Sequence, residues 1–438
     1  MEAVNGRQLV RRFCDGSGGR IRLGSEYLDR RDFRRICIVG AGKAVAAMGE
    51  GLLDSLQPLR AGGLPLLGQL NLVDDQSGGQ GTARQRLAEA GIHLRDVRPA
   101  DTNLPTGRAV QATRSMLELV RSLQQDDLLI VLLSGGGSAL LSAPLPGLKL
   151  SDKLKAIECL TSAGADIVQL NTLRAALSQV KQGGLIRDCR CGRIRSLILS
   201  DIAGDPVHLI AGGPTVAHAG STEAARQIAR QFDPHHDRLP TPVREILEQP
   251  APPVATRAVA GSVRHYVIGN LQTAVAAAVR MARSLGYPTA SAIEAASPLA
   301  EDEGRRLLDW IASRPSSECL VSGGEPVVRL APLEIRGRGG RNQQLVLSAL
   351  SDSRLRMPRG GDWCLLSAGS DGQDGNTLAA GAWVNPQVVD QVACQSLDLR
   401  RALQTNNAET VFQATRSLLE TGPTHTNVGD LRIAIAAE

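Results

Sequence analysis

The segment from Leu128 to Leu141, LLIVLLSGGGSALL, constrains the fold more than any other stretch of the sequence. It begins with a run of apolar residues without polar alternation, which is typical of a strand buried on both faces of a parallel sheet. The run is followed by Ser134, Gly135, Gly136, Gly137 and Ser138, and the next residues can begin a helix. Backbone N–H groups that converge at such a turn favour anion binding. The alternative is a tight turn that binds nothing.

Two other segments resemble this pattern. The stretch from Arg35 to Gly42 (RICIVGAG) is an apolar strand that ends in glycines, and apolar residues at helical spacing follow from Lys43 to Leu53. The stretch from Glu318 to Glu325 (ECLVSGGE) predicts a second strand that ends in a Ser-Gly-Gly turn. Strands that alternate with helices predict an α/β fold. Because ligands of open α/β sheets bind at the carboxyl ends of strands, Lys43 is a candidate ligand-binding residue.

The glycines beside Lys43 match two nucleotide-binding motifs incompletely. Val45 stands where the dinucleotide fingerprint G-x-G-x-x-G requires its third glycine. A Walker A loop would need a glycine at the position of Cys37 and a Ser or Thr at that of Ala44. The glycine turn therefore indicates a ligand site without identifying the ligand.

Length and composition restrict the possible functions. A chain of 438 residues exceeds what one core usually covers, which predicts two domains. The net charge is only +5 and aromatic residues make up 2%, so nucleic-acid binding is disfavoured. An apolar stretch long enough to cross a membrane is not found, and no membrane association is expected. The eight scattered cysteines favour a reducing, cytoplasmic compartment.

Almost all basic residues are arginine, so each lysine is worth inspecting. The lysines are Lys43, Lys149, Lys153, Lys155 and Lys181. The stretch from Ala165 to Leu185 predicts a helix with one polar face, formed by Asn171, Arg174, Ser178 and Lys181 at intervals of three and four residues. Such a face is either solvated or binds a ligand.

Two loops carry residues suited to phosphate and metal chemistry. The segment from Arg336 to Gln344 (RGRGGRNQQ) follows a predicted strand from Pro326 to Leu330, and its arginines and glycines suit phosphate binding, with an exposed basic turn as the alternative. Carboxylates follow two predicted strands further along, and they are candidate metal ligands. They are Asp201, Asp205, Asp371 and Asp374.

Nine motifs occur together in an order that resembles the glycerate 2-kinase family with its C-terminal MOFRL domain. They are VGAGKA at 39–44, LSGGGSALLSAP at 133–144, LNTLR at 170–174, LSDIAGDP at 199–206, GGPT at 212–215, SGGE at 322–325, GGRNQ at 339–343, SDGQDGNT at 370–377 and TGPTHTNVGD at 421–430. Each motif is short, but their shared order covers the chain from about residue 35 to its end.

The resemblance implies two α/β domains, a Rossmann-like N-terminal domain with a parallel sheet and a smaller MOFRL domain, with the active site in the cleft between them. The expected boundaries are 1–248 for the first domain, 262–317 for a connecting segment and 318–433 for the MOFRL domain. The two Ser-Gly-Gly turns are expected to lie in different domains and to face that cleft. A small-molecule kinase of this type needs no nucleic acid and no membrane, and a homodimer is possible.

The resemblance also implies an activity and residues that carry it. The activity is ATP-dependent phosphorylation of D-glycerate at its 2-hydroxyl with Mg²⁺ or another divalent cation, and Lys43 and Arg341 are the principal catalytic residues. The expected cofactor-binding residues are Ser134, Gly135, Gly136, Gly137, Ser138, Gly323, Gly324, Glu325, Gly339, Gly340 and Asn342. The expected substrate-binding residues are Asn171, Arg174 and Lys181, and the metal candidates are the four aspartates Asp201, Asp205, Asp371 and Asp374.

Two alternatives stay open at the level of sequence. Relatives of this family sometimes carry the name hydroxypyruvate reductase, an activity that would need a nicotinamide site at Gly40 and Gly42. The other alternative is a small-molecule binding protein without catalysis, because the loss of one catalytic contact would leave the motifs intact.

Overall fold

The computed structural model describes residues 1–74, 81–99, 102, 104–216, 221–249, 262–293, 299–314, 317–356 and 362–436. The chain divides into two compact units. The larger unit contains Gly6–Leu199 and Asp205–Ile268, and the smaller unit contains Met1–Asn5, Ser200–Gly204 and Gly269–Glu438. The expected connecting segment 262–317 is therefore divided between the two units.

The larger unit is built on a six-stranded sheet in the order β6-β5-β4-β7-β8-β9. Its pairings from β6 to β8 are parallel. A separate antiparallel sheet contains β1, β2 and β3. The strands are β1 Cys14–Asp15, β2 Arg20–Leu23, β3 Glu26–Asp29, β4 Arg35–Ala41, β5 Leu66–Val73, β6 Ile92–Arg98, β7 Asp127–Leu133, β8 Arg193–Leu199 and β9 Val263–Gly269.

The helices of the larger unit are α1 Gly6–Phe13, α2 Val45–Ala61, α3 Gly81–Glu89, α4 Gly107–Arg121, α5 Gly137–Leu140, α6 Leu150–Ser162, α7 Ile167–Ala176, α8 Ser221–Phe232 and α9 Thr241–Glu248. Helices α6 to α9 share an apolar cluster that includes Leu160, Leu173 and Val243. Because each of these helices buries one face there, α6 and α7 are held side by side.

Strand β7 confirms the prediction from its apolar run. Every residue from Asp127 to Leu133 is buried, and the strand pairs in parallel with β4 on one side and β8 on the other. The buried carboxylate of Asp127 accepts hydrogen bonds from Arg34 and Arg35, which satisfies its charge at the start of the strand. The carboxyl ends of β4 and β7 consequently lie next to each other, as the parallel α/β prediction requires.

The smaller unit contains a six-stranded mixed sheet in the order β10-β11-β15-β12-β13-β14. Only β10 and β11 pair in parallel, and β15 runs antiparallel between β11 and β12. The strands are β10 Thr289–Ile293, β11 Glu318–Gly324, β12 Trp363–Gly369, β13 Gly381–Val384, β14 Leu418–Leu419 and β15 Asp430–Ala436. The predicted α/β class is confirmed for both units.

The helices of the smaller unit are α10 Leu271–Ser284, α11 Ala300–Ala312, α12 Arg341–Arg356, α13 Pro386–Cys394, α14 Leu399–Gln404 and α15 Ala408–Ala414. Its main apolar core contains Leu307, Leu345 and Leu365, so α11 and α12 pack with the sheet. A buried ion pair joins Arg432 on β15 to Glu303 on α11 at 3.0 Å. None of the helices described is both long and apolar enough to cross a membrane.

Three local predictions were wrong. The helix expected from Ala165 to Leu185 ends at Ala176, so Ser178 and Lys181 lie in the irregular chain beyond α7. The strand expected from Pro326 to Leu330 is replaced by irregular chain with one isolated bridge at Val327. The second Ser-Gly-Gly sequence is not a turn, because Gly323 and Gly324 are the last residues of β11 and pair with β15.

Candidate active site

The turn after β7 is joined to the turn after β4 by backbone hydrogen bonds. The Lys43 N–H donates to the Gly135 carbonyl at 3.0 Å, and the Ser134 N–H donates to the Ala41 carbonyl at 3.3 Å. The Ser134 hydroxyl accepts from the Ala44 N–H at 2.9 Å. These bonds fix Lys43 beside the glycine turn, which is the arrangement that the parallel pairing of β4 and β7 predicts.

The glycine turn has the geometry of an anion-binding site. Gly136 has φ 78° and ψ −6°, a left-handed backbone conformation that residues other than glycine rarely adopt. Within the described part of the chain, the N–H groups of Gly135 and Gly136 donate to no protein acceptor. The aliphatic part of Lys43 lies over Gly136, at 3.6 Å from where a Cβ atom would stand. Two amides without acceptors beside a lysine form a site for a phosphate or a carboxylate.

A second cation lies at the other end of the same turn. The Lys181 Nζ donates to the Ser138 hydroxyl at 2.5 Å. Lys181 is 5% exposed and packs against Gly212, whose φ of 77° brings the backbone close to the lysine side chain. Arg174 at the end of α7 donates to the Asn171 side-chain oxygen at 3.0 Å. The three residues predicted to bind substrate therefore lie in the same unit as the glycine turn.

Lys153 on α6 belongs to this group, although the sequence did not single it out. It is 5% exposed, whereas Lys155 on the same helix is exposed. Burial and then the positive charges of Lys153 and Arg174 lower the pKa of Lys181 to about 7. Burial and then the charge of Arg174 lower the pKa of Lys153 to about 8. The periodicity of α6 could have suggested that Lys153 faces inward, but its charge indicated solvent.

In the smaller unit, Arg341 is the first residue of α12 and is bound by two carboxylates. Its guanidinium donates to Asp430 from Nε at 2.5 Å and from Nη2 at 3.0 Å, and to Glu325 from Nη2 at 2.9 Å. The Asp430 side chain is 2% exposed, whereas those of Glu325 and Arg341 keep more than a third of their surface. The fork of Arg341 is therefore held in one orientation at the end of β11 and the start of β15.

The charges of this group shift the pKa values of its members. Partial burial, with the negative charges of Asp430 and Asp201, raises the pKa of Glu325 to about 7 against the opposing charge of Arg341. Burial acts against the charged form of Arg341, but the hydrogen bonds and charge of Asp430 outweigh it and raise the pKa of Arg341. Arg341 is therefore surrounded by more than one carboxylate. The resulting excess of negative charge favours a cationic or metal-bound ligand over a bare anion.

The two polar loops of the smaller unit bind each other. Asp374, 2% exposed, accepts from the N–H groups of Asn342 at 3.0 Å and Gln343 at 2.8 Å. The Asn342 side chain donates to Asp374 and accepts from the Ser367 hydroxyl. The Gly339 N–H donates to the Asn376 side chain, and Gly340 packs directly against Asp374. Asn342 and Asp374 therefore hold the start of α12 in place.

The four metal candidates are distributed over both units. Asp205 belongs to the larger unit, whereas Asp201 belongs to the smaller unit and accepts from the Asn427 side chain at 3.0 Å. Asp371 accepts from the Gln373 N–H within its own turn. Among the residues that the structure describes, no three His, Cys, Asp or Glu side chains gather into a metal-binding group. The oxygens of Asp374 accept from the amides at the start of α12.

Fold and sites together define a class of protein. A parallel α/β sheet presents an amide turn and a lysine at its carboxyl edge, and a second α/β unit presents an oriented arginine among carboxylates. This combination is typical of enzymes that handle small anionic substrates and phosphoryl groups, for which positioning and charge matter more than a covalent nucleophile.

Comparison with known proteins identifies the family. Residues 1–248 match the model DUF4147, described as a domain of unknown function, and residues 318–430 match the MOFRL family. A glycerate kinase of Homo sapiens is 34% identical over 91% of this chain and 84% of its own length. The crystal structure of glycerate kinase from Thermotoga maritima has a TM-score of 0.78 at 28% identity, covering 100% of this chain and 96% of the other. The chain belongs to the glycerate kinase family.

One relative carries a different name. A protein of Agrobacterium vitis, provisionally named as a hydroxypyruvate reductase, is 33% identical over 91% of this chain and 98% of its own length. The matches to glycerate kinases confirm the predicted family resemblance, and they agree with a kinase. The residue assignments within the sites stay predictions.

Proposed function

We propose that this protein is a glycerate 2-kinase that transfers the γ-phosphoryl group of ATP to the 2-hydroxyl of D-glycerate. The observation that carries the proposal is the amide turn from Ser134 to Ser138 with Lys43 fixed beside it, in a chain that is 34% identical to a glycerate kinase over 91% of its length. The expected cytoplasmic location and homodimer stay predictions.

The proposed roles follow from what phosphoryl transfer requires. The reaction needs charge neutralisation and alignment of donor and acceptor oxygens, and it needs no covalent intermediate on the protein. The N–H groups of Gly135 and Gly136 would bind phosphoryl oxygens, and Lys43 would neutralise charge on the transferring group. Arg341 would contribute the second cation, since Asp430 and Glu325 already fix its orientation. Glu325, Gly339 and Gly340 remain proposed nucleotide contacts.

A divalent cation is part of the proposal. Mg²⁺ usually takes one or two carboxylates and completes its coordination with substrate phosphates and water, so it does not require a preformed protein cage. The proposed ligands are the four aspartates Asp201, Asp205, Asp371 and Asp374, and the oxygens of Asp374 also accept from the amides at the start of α12. When bound, the cation would neutralise phosphate charge.

The reductase alternative rests on the name of the Agrobacterium vitis relative. A nicotinamide cofactor would need its pyrophosphate against the turn after β4, where the fingerprint places its third glycine. In this chain Val45 fills that position, is fully buried and begins α2. In the fingerprint the third glycine lets the helix pack closely on the strand, and Val45 adds a side chain at that position.

The deciding experiment couples ADP release to a spectroscopic assay. We expect ADP release that depends on D-glycerate, with a product whose phosphorus couples to the proton on carbon 2 in NMR spectra. Lys43→Met should lower turnover by about 100-fold, the scale for losing one preorganised charge contact. Lys155→Met is the matched control, because Lys155 is an exposed lysine on α6 of the same unit.

Other outcomes of these assays would support a different function or a different site of phosphorylation. Oxidation of NADH by hydroxypyruvate without ADP release would favour the reductase. Glycerate binding without turnover of either kind would favour a binding protein. A product phosphorylated on carbon 3 would still support a kinase, but it would contradict the proposed transfer to the 2-hydroxyl.

A further inference from the structure

Three cationic side chains lie near the glycine turn of the larger unit. Lys181 reaches the Ser138 hydroxyl at 2.5 Å and its carbonyl oxygen at 3.5 Å. Lys153 and Arg174 are close enough to Lys181 for their charges to act on it. Helix α6 supplies Lys153, the end of α7 supplies Arg174, and the irregular chain beyond α7 supplies Lys181. We call Lys153, Arg174 and Lys181 the cation cluster.

Among the residues that the structure describes, no carboxylate forms an ion pair with the cation cluster. Lys181 donates only to neutral oxygens of Ser138, and Arg174 donates to the neutral amide of Asn171. Within the described ranges, Lys153 forms neither a hydrogen bond nor an ion pair, although it is only 5% exposed. Its side chain is therefore more than nine-tenths buried and has no protein partner.

Two other buried cations are paired with carboxylates. Arg195, 6% exposed, is held by Glu26 at 2.6 Å. Arg432, which is fully buried, is held by Glu303 at 3.0 Å. A buried charge without a counter-charge is unfavourable, because the protein interior replaces water poorly. An anionic ligand would supply the counter-charge that the cation cluster lacks.

We propose that the cation cluster binds the carboxylate of the hydroxy-acid substrate, with Lys153 as a further substrate-binding residue. The inference rests on the proposed kinase function and assigns the part of the substrate that does not react. Ser138 ends the same turn whose Gly135 and Gly136 amides face the proposed phosphoryl site. A carboxylate held at Ser138 and Lys181 therefore lies at the edge of that site. This suits an acid whose reacting hydroxyl is on the carbon next to the carboxylate.

The same chemistry could serve a nucleotide phosphate, so the experiment separates the two anions. Lys153→Met replaces the ammonium by an apolar side chain of similar length. We expect the KM for D-glycerate to rise about 10- to 100-fold, the scale for one buried hydrogen bond to a charged group. The KM for ATP should change less than twofold. Lys153→Arg should recover part of the loss, and Lys155→Met should behave as wild type.

A measurement without turnover tests the same point. Isothermal titration with D-glycerate in the absence of nucleotide should show binding to wild type and at least tenfold weaker binding to Lys153→Met. Thermal unfolding of the unliganded variant should occur at the wild-type temperature or above it, because an unpaired buried charge has been removed. A lower unfolding temperature with normal glycerate binding would make Lys153 structural and overturn the inference.

The remaining outcomes are also decisive. An unchanged KM for D-glycerate refutes the inference, and a raised KM for ATP, or weaker binding of inorganic phosphate alone, assigns the cluster to phosphate instead. Should wild type release no glycerate-dependent ADP, the kinase proposal fails. Lysine-dependent glycerate binding in the titration would then still support the carboxylate subsite, so the two failures are distinguishable.

Discussion

Replacement of Asp374 by alanine should destabilise the smaller unit and loosen the start of α12. The Asp374 carboxylate accepts from two backbone N–H groups, of Asn342 at 3.0 Å and Gln343 at 2.8 Å, and from the Asn342 side chain at 3.2 Å. All of these groups are buried. Alanine would leave the three donors without an acceptor and without access to water.

The size of the effect follows from two opposing terms. Three buried donors left unsatisfied cost about 3–9 kcal/mol in total, at about 1–3 kcal/mol each. Burial raises the pKa of Asp374 to about 6 from 3.8, so the charged carboxylate itself costs about 3 kcal/mol at neutral pH, a cost that alanine removes. The expected net loss is about 3 kcal/mol at pH 7. It should be about 1 kcal/mol larger at pH 5, where the native carboxyl is protonated and its charge no longer opposes folding.

Urea denaturation at the two pH values measures the loss, and amide hydrogen exchange locates it. We expect faster exchange at Asn342 and Gln343 in the variant. Asp398→Ala is the control, because Asp398 is exposed and caps α14 in the same unit, and its loss should cost only about 1 kcal/mol. The reasoning is refuted if Asp374→Ala unfolds within about 0.5 kcal/mol of wild type with both amides still protected. If Mg²⁺ dependence were lost instead, Asp374 would be a metal ligand.

Two further results are expected. Arg341→Ala should lower turnover about 100-fold and, because buried Asp430 loses its partner, should also unfold at lower temperature; Arg341→Lys should recover only part of the turnover, since a point charge cannot replace the fork. Normal kcat in thermally intact Arg341→Ala would exclude a catalytic role. Burial beside Lys153 and Arg174 lowers the pKa of Lys181 to about 7, so above pH 7 the unfolded chain binds one proton more than the folded chain. The free energy of unfolding of unliganded wild type should therefore rise by about 2–3 kcal/mol relative to that of Lys181→Met between pH 7 and pH 9, measured by urea denaturation. Parallel pH profiles of the two proteins would contradict this.

The parts of the site that could be predicted from sequence depend on local pattern. The unbroken apolar run of β7 and the glycines after it specify a buried strand and a turn almost without reference to other segments. Lys43 could be placed there because parallel strands bring their carboxyl ends together. These features were confirmed in the structure.

The features that were missed depend on partners distant in sequence. Gly323 and Gly324 remain in strand β11 because β10 and β15 pair with them, which their own sequence does not reveal. Lys153 and Lys155 look equivalent on α6, and only packing with the neighbouring helices buries one of them. The hydrogen bonds between Asp374 and the start of α12 could not be predicted either, because a glycine-rich acidic loop suits both a metal and the capping of a helix.

The path of the chain between the units affects how the protein can be made or divided. The chain changes unit after Asn5, Leu199, Gly204 and Ile268. In the smaller unit, the Thr426 hydroxyl donates to the Val4 carbonyl, and the Asn427 side chain donates to Asp201. During synthesis the Val4 carbonyl must therefore wait for residue 426 before this hydrogen bond can form, which is a slow long-range closure. A gene fragment that begins at Gly269 would encode an incomplete module, and exchange of C-terminal halves between relatives would separate residues that fold together.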